Sequence, residues 1–367
     1  MKILILTDWE RYGGVATASA ALQKALSWPD IEVEKLPIHV VHRGVLGRFY
    51  SILRAAIYLR SSTADKIILM HFEAILAGIL CRPFRSNASF VNSVHTDLHG
   101  YYRGTSVIKK LFFSFAFRIL KNDIIVFDSR EAEIKAKRYL GFSKTHSIYN
   151  VIALPQKVPR LAVDRSFRFG SVSRLHSGKN IDLLIRVFNS FWITHENTEL
   201  LIFGDGPELE RLKDYAKTFP CSPAIIFKGY LSNPDEIYGQ FDGLVGFSSM
   251  EGFGLVILEA LARRIPVLHS DCSCGPREIF FPNSDPCVKT NSFEIGEGGM
   301  LVKLPEKITS YAPCLQESEE VIFEAFGIFY KQFENNKKTS VIDLKRFESD
   351  VIKEKWADLL RLQQVVQ

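Results

Sequence analysis

Apolar residues along this 367-residue chain come in short uninterrupted runs rather than in alternation with polar ones. In the first half these are KILILT (2–7), KIILMH (66–71), SFVNSVH (89–95), DIIVFDS (123–129) and SIYNVI (147–152). The second half repeats the habit with FRFGSVSRL (167–175), LLIFGDG (200–206), IIFKGY (225–230), GLVGFSS (243–249) and IPVLHSD (265–271). Such runs suit strands buried on both faces, as in parallel sheets, with helices between them. LPQKVPRLAVDRS (154–166), with two prolines and mixed charge, reads as a linker. The pattern predicts an α/β chain of two doubly wound domains, 1–155 and 166–345. An amphipathic C-terminal helix follows within 346–367, with Val351, Trp356, Leu359 and Leu360 on its apolar side. Ligands of such sheets gather at the carboxyl ends of the strands, and with two domains the cleft between them is the expected site.

One segment breaks the apolar rule. From Gly254 to Ala262 the chain reads GLVILEALA, apolar on every face except for Glu259, so the helix should be buried. A buried carboxylate needs a partner, and none lies one turn away within the helix. The loop that enters it, SSMEGFG, places Glu251 beside Gly252, Phe253 and Gly254, with Leu255 next. Glycines before a helix start let backbone N–H groups approach a phosphate. Glu251 has the wrong sign for phosphate and suits hydroxyls beside it, such as those of a sugar; Glu259 could serve a ribose.

Bulk properties narrow the classes. The net charge of +5, from 46 basic and 41 acidic residues, is too mild and diffuse to argue for nucleic acid. The N-terminal apolar run is too short for a signal peptide, and no stretch reaches the ~20 apolar residues of a spanning helix. The six cysteines are scattered, which points to free thiols in a reducing cytoplasm. Cys272 and Cys274 lack a second pair or a spaced histidine, so no metal is expected there.

Three further elements place chemistry at strand ends. In FGSVSRLHSGKN (169–180), Arg174 ends a strand and Lys179 opens the next helix; two cations there can neutralise a diphosphate without a metal. Gly13 and Gly14 follow the first strand, and Gly204 and Gly206 follow LLIF, both without the full dinucleotide spacing. His95 ends a strand of the first domain, where a neutral imidazole can bond a sugar hydroxyl; Asp97 and His99 follow it.

Together these residues resemble the retaining glycosyltransferases of family 4, which have the GT-B fold. The E-x7-E pair is Glu251 and Glu259, the R-x4-K pair is Arg174 and Lys179, the tight glycine loop is Gly13-Gly14, and the first-domain histidine is His95. GDGPE (204–208), FKGYLSNPDEIY (227–238) and PVLHSDCSCGPREI (266–279) extend the similarity from residue 2 to about 303. The resemblance implies two Rossmann-like domains facing a central cleft, with the C-terminal helix crossing back to the first. It implies transfer of a hexose or N-acetylhexosamine from a nucleotide diphosphate sugar, UDP-linked by preference, with retention and without metal or cofactor. In the family the first Glu bonds the donor sugar, the second bonds the ribose, and backbone amides after the first hold the diphosphate. Base contacts would fall near Lys228 to Leu231, which includes Tyr230. No Asp-x-Asp occurs, in keeping with a metal-free mechanism. The acceptor implied is a lipid-linked glycan of the bacterial surface (O-antigen, lipopolysaccharide or capsule), reached from the cytoplasm. The stretch 281–300 is longer than the short connector the resemblance implies before GGMLV, and 305–346 falls outside the resemblance.

RGVLGRFYSILRAAIYLR (43–60) and SVIKKLFFSFAFRILK (106–121) mix aromatics with Arg and Lys. An interfacial helix at the cytoplasmic membrane face has this composition, and so does a core helix with a snorkelling basic edge. Two rival functions share the two-domain frame: a nucleotide-sugar epimerase or phosphorylase, and a non-catalytic sugar-nucleotide-binding subunit.

Overall fold

The structure, a computed structural model, describes residues 1–7, 14–27, 31–38, 44–84, 88–152, 155, 166–334 and 343–365. The chain divides into two compact units, Met1–Ala153 with Lys345–Gln367, and Leu154–Leu344.

The first unit holds six strands: β1 (Lys2–Thr7), β2 (Glu32–Pro37), β3 (Lys66–Met70), β4 (Ser89–Val94), β5 (Ile124–Phe127) and β6 (Lys144–Ser147). They form one parallel sheet in the order β2-β1-β3-β4-β5-β6. Its inner strands are the apolar runs read from the sequence; Ile3 to Leu6 and Ile67 to Leu69 are wholly buried. Two edges differ from expectation. β2, EVEKLP, alternates polar residues and is mostly half-buried, so it carries no buried-strand signal. SIYNVI was expected as a strand, but β6 ends at Ser147. The residues after it leave the sheet: Ile148 and Ile152 are buried, and the Ile152 amide donates to the Phe347 carbonyl at 3.0 Å.

The C-terminal helix Ser349–Val365 belongs to this unit and packs on helix Gly14–Leu26. Ile352, Trp356, Leu359 and Leu360 enter the core beside Ile3, Ile5 and Leu22. Val351, expected on that face, is only half-buried. The spacing 352, 356, 359 and 360 follows one helical stripe, and Val351 sits a step off it.

The second unit holds β7 (Phe167–Val172), β8 (Thr198–Phe203), β9 (Ile225–Gly229), β10 (Gly243–Gly246), β11 (Val267–Ser270), β12 (Phe293–Gly296) and β13 (Gly299–Val302). The sheet order is β12-β13-β11-β10-β7-β8-β9, parallel except for β12. The strand order reverses between β7 and β10, which creates a crevice at their carboxyl ends. The long stretch 281–300 ends in an antiparallel hairpin of β12 with β13, held by Arg277, which reaches both Asp271 (2.6 Å) and Glu294 (2.7 Å). Within 305–346 lies helix Glu320–Phe333, whose Ile322, Phe326, Phe329 and Phe333 fill the sheet's core. Before it, Glu319 meets the fully buried Arg186 of helix Ile181–Trp192 at 2.6 Å.

Trp356→Ala removes the largest side chain that the C-terminal helix buries in the first unit. We expect it to cost about 3–5 kcal/mol in chemical denaturation. Val351→Ala should cost under about 1 kcal/mol.

Candidate active site at a sheet switch point

The residues around the β7–β10 switch point are brought together by turn chemistry. After β7 the chain makes a 3₁₀ turn at Ser177–Lys179 and enters helix Ile181–Trp192 through Asn180, which takes a left-handed backbone (φ 50°). Asparagine tolerates that region better than other side chains. Its amide group donates to the Phe247 carbonyl at 2.7 Å and to Ser249 at 2.9 Å. The Ser249 amide in turn donates to the Gly178 carbonyl at 2.9 Å. The loop after β7 is thereby stitched to the loop after β10, and Lys179 is aimed at Glu251.

Lys179 Nζ and Glu251 Oε1 lie 2.6 Å apart, with side chains 16% and 11% exposed. His269, on β11, sets Nε2 3.7 Å from the same oxygen and has its Nδ1 2.9 Å from the Ser270 carbonyl. Burial by itself would raise the Glu251 carboxyl. The charge of Lys179 and the hydrogen bond and charge of His269 outweigh it and hold the group well below the usual carboxylate range. Ser173, at the end of β7, lines the same pocket, and its buried hydroxyl has no hydrogen-bond partner among the described residues.

Beyond Glu251 the chain turns through Gly252 and the buried Phe253 into helix Leu255–Ala262. Gly254 caps that helix at φ 90°, a conformation in which any other side chain is strained. The Ile257 amide donates back to the Gly254 carbonyl at 2.9 Å, while the amides of Gly254, Leu255 and Val256 have no partner within the helix, which makes this end a donor site for an anion. The helix is not buried all round as expected. Ile257, Leu258, Ala260 and Leu261 face the core, and Leu255, Val256, Glu259 and Ala262 share a half-open face. Glu259 finds its partner outside the helix: Tyr238, from helix Pro234–Tyr238, donates to Oε2 at 2.7 Å. Burial raises the Glu259 carboxyl, with the Tyr238 hydrogen bond and the Arg263 charge working against it. Oε1 has no hydrogen-bond partner among the described residues.

The other expected residues fall as follows. Arg174 is exposed, two residues past the end of β7, which stops at Val172 and not at Arg174. Tyr230 and Leu231 follow β9, two strands from β7. Gly204 and Gly206 have packing reasons to be glycine, since an added Cβ would sit 1.8 Å from the Ser173 carbonyl oxygen and 2.2 Å from that of Leu175. Gly14 opens helix Gly14–Leu26 in the first unit, and Gly13 lies outside the described residues. His95 follows β4 in that same unit, with Nε2 3.0 Å from the Ser93 hydroxyl and Nδ1 3.4 Å from the buried Asp128. Asp97 caps helix Leu98–Gly104 and meets Lys135 at 2.9 Å, and the His99 ring stacks on Tyr139. Asn180, His269, Ser173, Tyr238 and Asp128 are the residues that sequence reasoning missed. Only Asn180, in the turn SGKN, carries a local signal.

Because the folded carboxyl of Glu251 titrates lower than in the unfolded chain, its contribution to stability is present above the unfolded value of 4.5 and is lost as pH falls below it. Acid unfolding of Glu251→Gln, followed by circular dichroism, should therefore show a shallower loss of stability below pH 4.5 than the parent. At neutral pH, Lys179→Met should cost about 3 kcal/mol by stranding the buried carboxylate.

The comparisons with known proteins bear on the family and the fold. Residues 156–293 match the family described as Glycosyl transferases group 1. An uncharacterized glycosyltransferase of Methanocaldococcus jannaschii is 26% identical over 283 residues, covering 71% of this chain and 68% of that protein. Four further curated relatives are matched over 16% to 28% of their own length. Among solved structures, the lipopolysaccharide outer core galactosyltransferase WaaB, in its apo form, superposes with a TM-score of 0.65 at 18% identity, covering 99% of this chain and 100% of that one. HepE of Anabaena, solved with UDP and glucose, gives 0.67 at 17% identity over 98% and 99% of the two chains. The motif resemblance is borne out: residues 156–293 are similar to the group 1 glycosyl transferases, and the chain has the GT-B fold.

Proposed function

We propose that this protein is a retaining glycosyltransferase that moves a hexose or N-acetylhexosamine from a UDP-sugar to a hydroxyl of a growing, lipid-linked bacterial surface glycan. The observation that carries the reading is the Lys179–Glu251 contact at the switch point, one loop away from the open amides of helix Leu255–Ala262. A pairing of cation and carboxylate beside an anion-binding helix end suits a ligand with a diphosphate at one end and hydroxyls at the other. The solved UDP and glucose complex of HepE and the galactosyltransferase activity named for WaaB support the donor class and the surface-glycan setting.

In this reading the first-turn amides and Arg174 receive the diphosphate. Lys179 shares its charge between the leaving phosphate and Glu251, and Glu251 accepts a hydrogen bond from a sugar hydroxyl. Glu259 turns Oε1 to the ribose, while Tyr230 and Leu231 lie toward the base. Gly14 opens a second helix start, in the first unit, for donor oxygens. The anomeric carbon–oxygen bond to the diphosphate breaks as the acceptor oxygen bonds to the same face. The acceptor's proton passes to the departing phosphate, so neither a protein nucleophile nor a metal is needed. His95, held between Ser93 and Asp128, offers an imidazole for a sugar hydroxyl in the first unit. The work is cytoplasmic, at the inner membrane face.

The Lys179–Glu251 pair is neutral as a unit, so the helix amides add attraction for an anion that the pair alone does not supply. Calorimetry with EDTA present should show UDP binding in preference to GDP or ADP. Arg174→Ala combined with Lys179→Ala should weaken UDP binding by about a hundredfold. Glu251→Gln should bind UDP at least as tightly as the parent, because Lys179 is released, while turnover drops by about a hundredfold or more. Unchanged turnover in that variant removes Glu251 from the site. Recovery of an epimerised or free sugar, or of a sugar 1-phosphate when inorganic phosphate is supplied, in place of a new glycoside would favour the epimerase or phosphorylase class.

A further inference from the structure

In the first unit, helices Val45–Ser61 and Val107–Leu120 both pack against helix Phe72–Cys81, so the three share one layer over the sheet. The outer helices leave an unusual amount of apolar surface in water. On Val107–Leu120 the exposed side chains include Val107 (74%), Ile108 (81%), Leu111, Phe112, Phe115 and Ile119. On Val45–Ser61 they are Leu46 (85%), Phe49, Tyr50, Leu53 and Ile57. These two helices supply 11 of the 22 large apolar residues exposed among the described residues, which makes the surface a patch and not a scatter.

Helix Val107–Leu120 is apolar on its inner side as well. Phe113, Ala116, Phe117 and Leu120 line an apolar cavity with Ile75 and Ile79. A helix apolar around its circumference belongs in a core or in lipid, and this one has solvent on its outer side. The charges choose between possible coverings. The two helices carry Arg48, Arg54, Arg60, Lys109, Lys110 and Arg118, and no acidic residue. All but the half-buried Lys110 are exposed, so cations are interleaved with the apolar side chains on the open surface. A second copy seated symmetrically on this face would oppose cation to cation. A lipid surface with anionic headgroups takes both components at once: the aromatics and aliphatics enter the acyl boundary, and the Lys and Arg stems reach up to phosphate.

We infer that the layer formed by helices Val45–Ser61 and Val107–Leu120 is a docking face for an anionic lipid bilayer, on which the protein lies without spanning it. No helix among the described residues is long and apolar enough to cross a membrane. The face gives the membrane association of the proposed function a place and a headgroup chemistry. It belongs to the first unit alone, and its recognition does not depend on the donor site.

The test is flotation of the purified full chain with vesicles of equal parts phosphatidylcholine and phosphatidylglycerol, and with phosphatidylcholine alone, without donor or acceptor. The parent should bind the anionic vesicles at least about tenfold more tightly than the neutral ones, and added salt should weaken that binding. Ile108→Glu with Phe115→Glu should reduce binding about tenfold or more. Both positions are in solvent, so the thermal unfolding and UDP affinity of that variant should match the parent. Absence of flotation with anionic vesicles, or flotation that the double variant leaves intact, overturns the inference. A parent dimer in light scattering that the double variant dissociates, with no flotation, assigns the face to a second copy and overturns it equally. Since no nucleotide sugar enters the assay, this outcome and the fate of the transferase reading are read separately.

Discussion

The second unit is organised around one electrostatic constraint: a nearly buried carboxylate, Glu251, that stays charged. Burial of an ionised carboxyl is affordable only with partners on hand, and the carboxylate and its two partners come from three strands. Lys179 comes from the loop after β7, Glu251 from the loop after β10, and His269 from β11. Each loop must hold its place for the contact to exist, and the Asn180 bonds to Phe247 and Ser249 and the Ser270 bond to Ser248 (2.6 Å) provide that hold. The same loops leave the first turn of helix Leu255–Ala262 open. A charged pair beside unpaired amides is a poor arrangement for stability alone and a good one for a ligand carrying both phosphate and hydroxyls.

Glu259 follows a milder version of this logic. It has one hydrogen-bond donor, Tyr238, and its carboxyl sits above the ordinary range, where Glu251 sits well below. Two glutamates eight positions apart on one loop and helix therefore have opposite environments. One faces a lysine and the other a phenol, which fits different duties toward a sugar and a ribose.

Much of the fold was legible because parallel strands buried on both faces write themselves as apolar runs. What was not legible has local reasons. β2 alternates polar residues at an edge, and the Glu294 strand is stabilised by Arg277, 17 positions earlier. Helix Glu320–Phe333 is not read from the sequence, where 315–346 looks polar and irregular; its Ile322, Phe326, Phe329 and Phe333 form a stripe set among polar neighbours, and the motif resemblance stops before it. At the site, E-x7-E and R-x4-K are local and could be read directly. The pairing of Lys179 with Glu251 spans 72 positions and that of Tyr238 with Glu259 spans 21, and no periodicity encodes either. At Gly204 and Gly206 a glycine that suits a phosphate loop is also where two backbones pass closely.

The central claim is that the β7–β10 switch point receives a nucleoside diphosphate. A crystal structure of the protein grown with UDP tests it most directly. The account predicts the diphosphate against Arg174, Lys179 and the amides of Gly254 and Leu255, with the ribose at Glu259. UDP bound elsewhere on the chain, with the Lys179–Glu251 contact undisturbed, would contradict it.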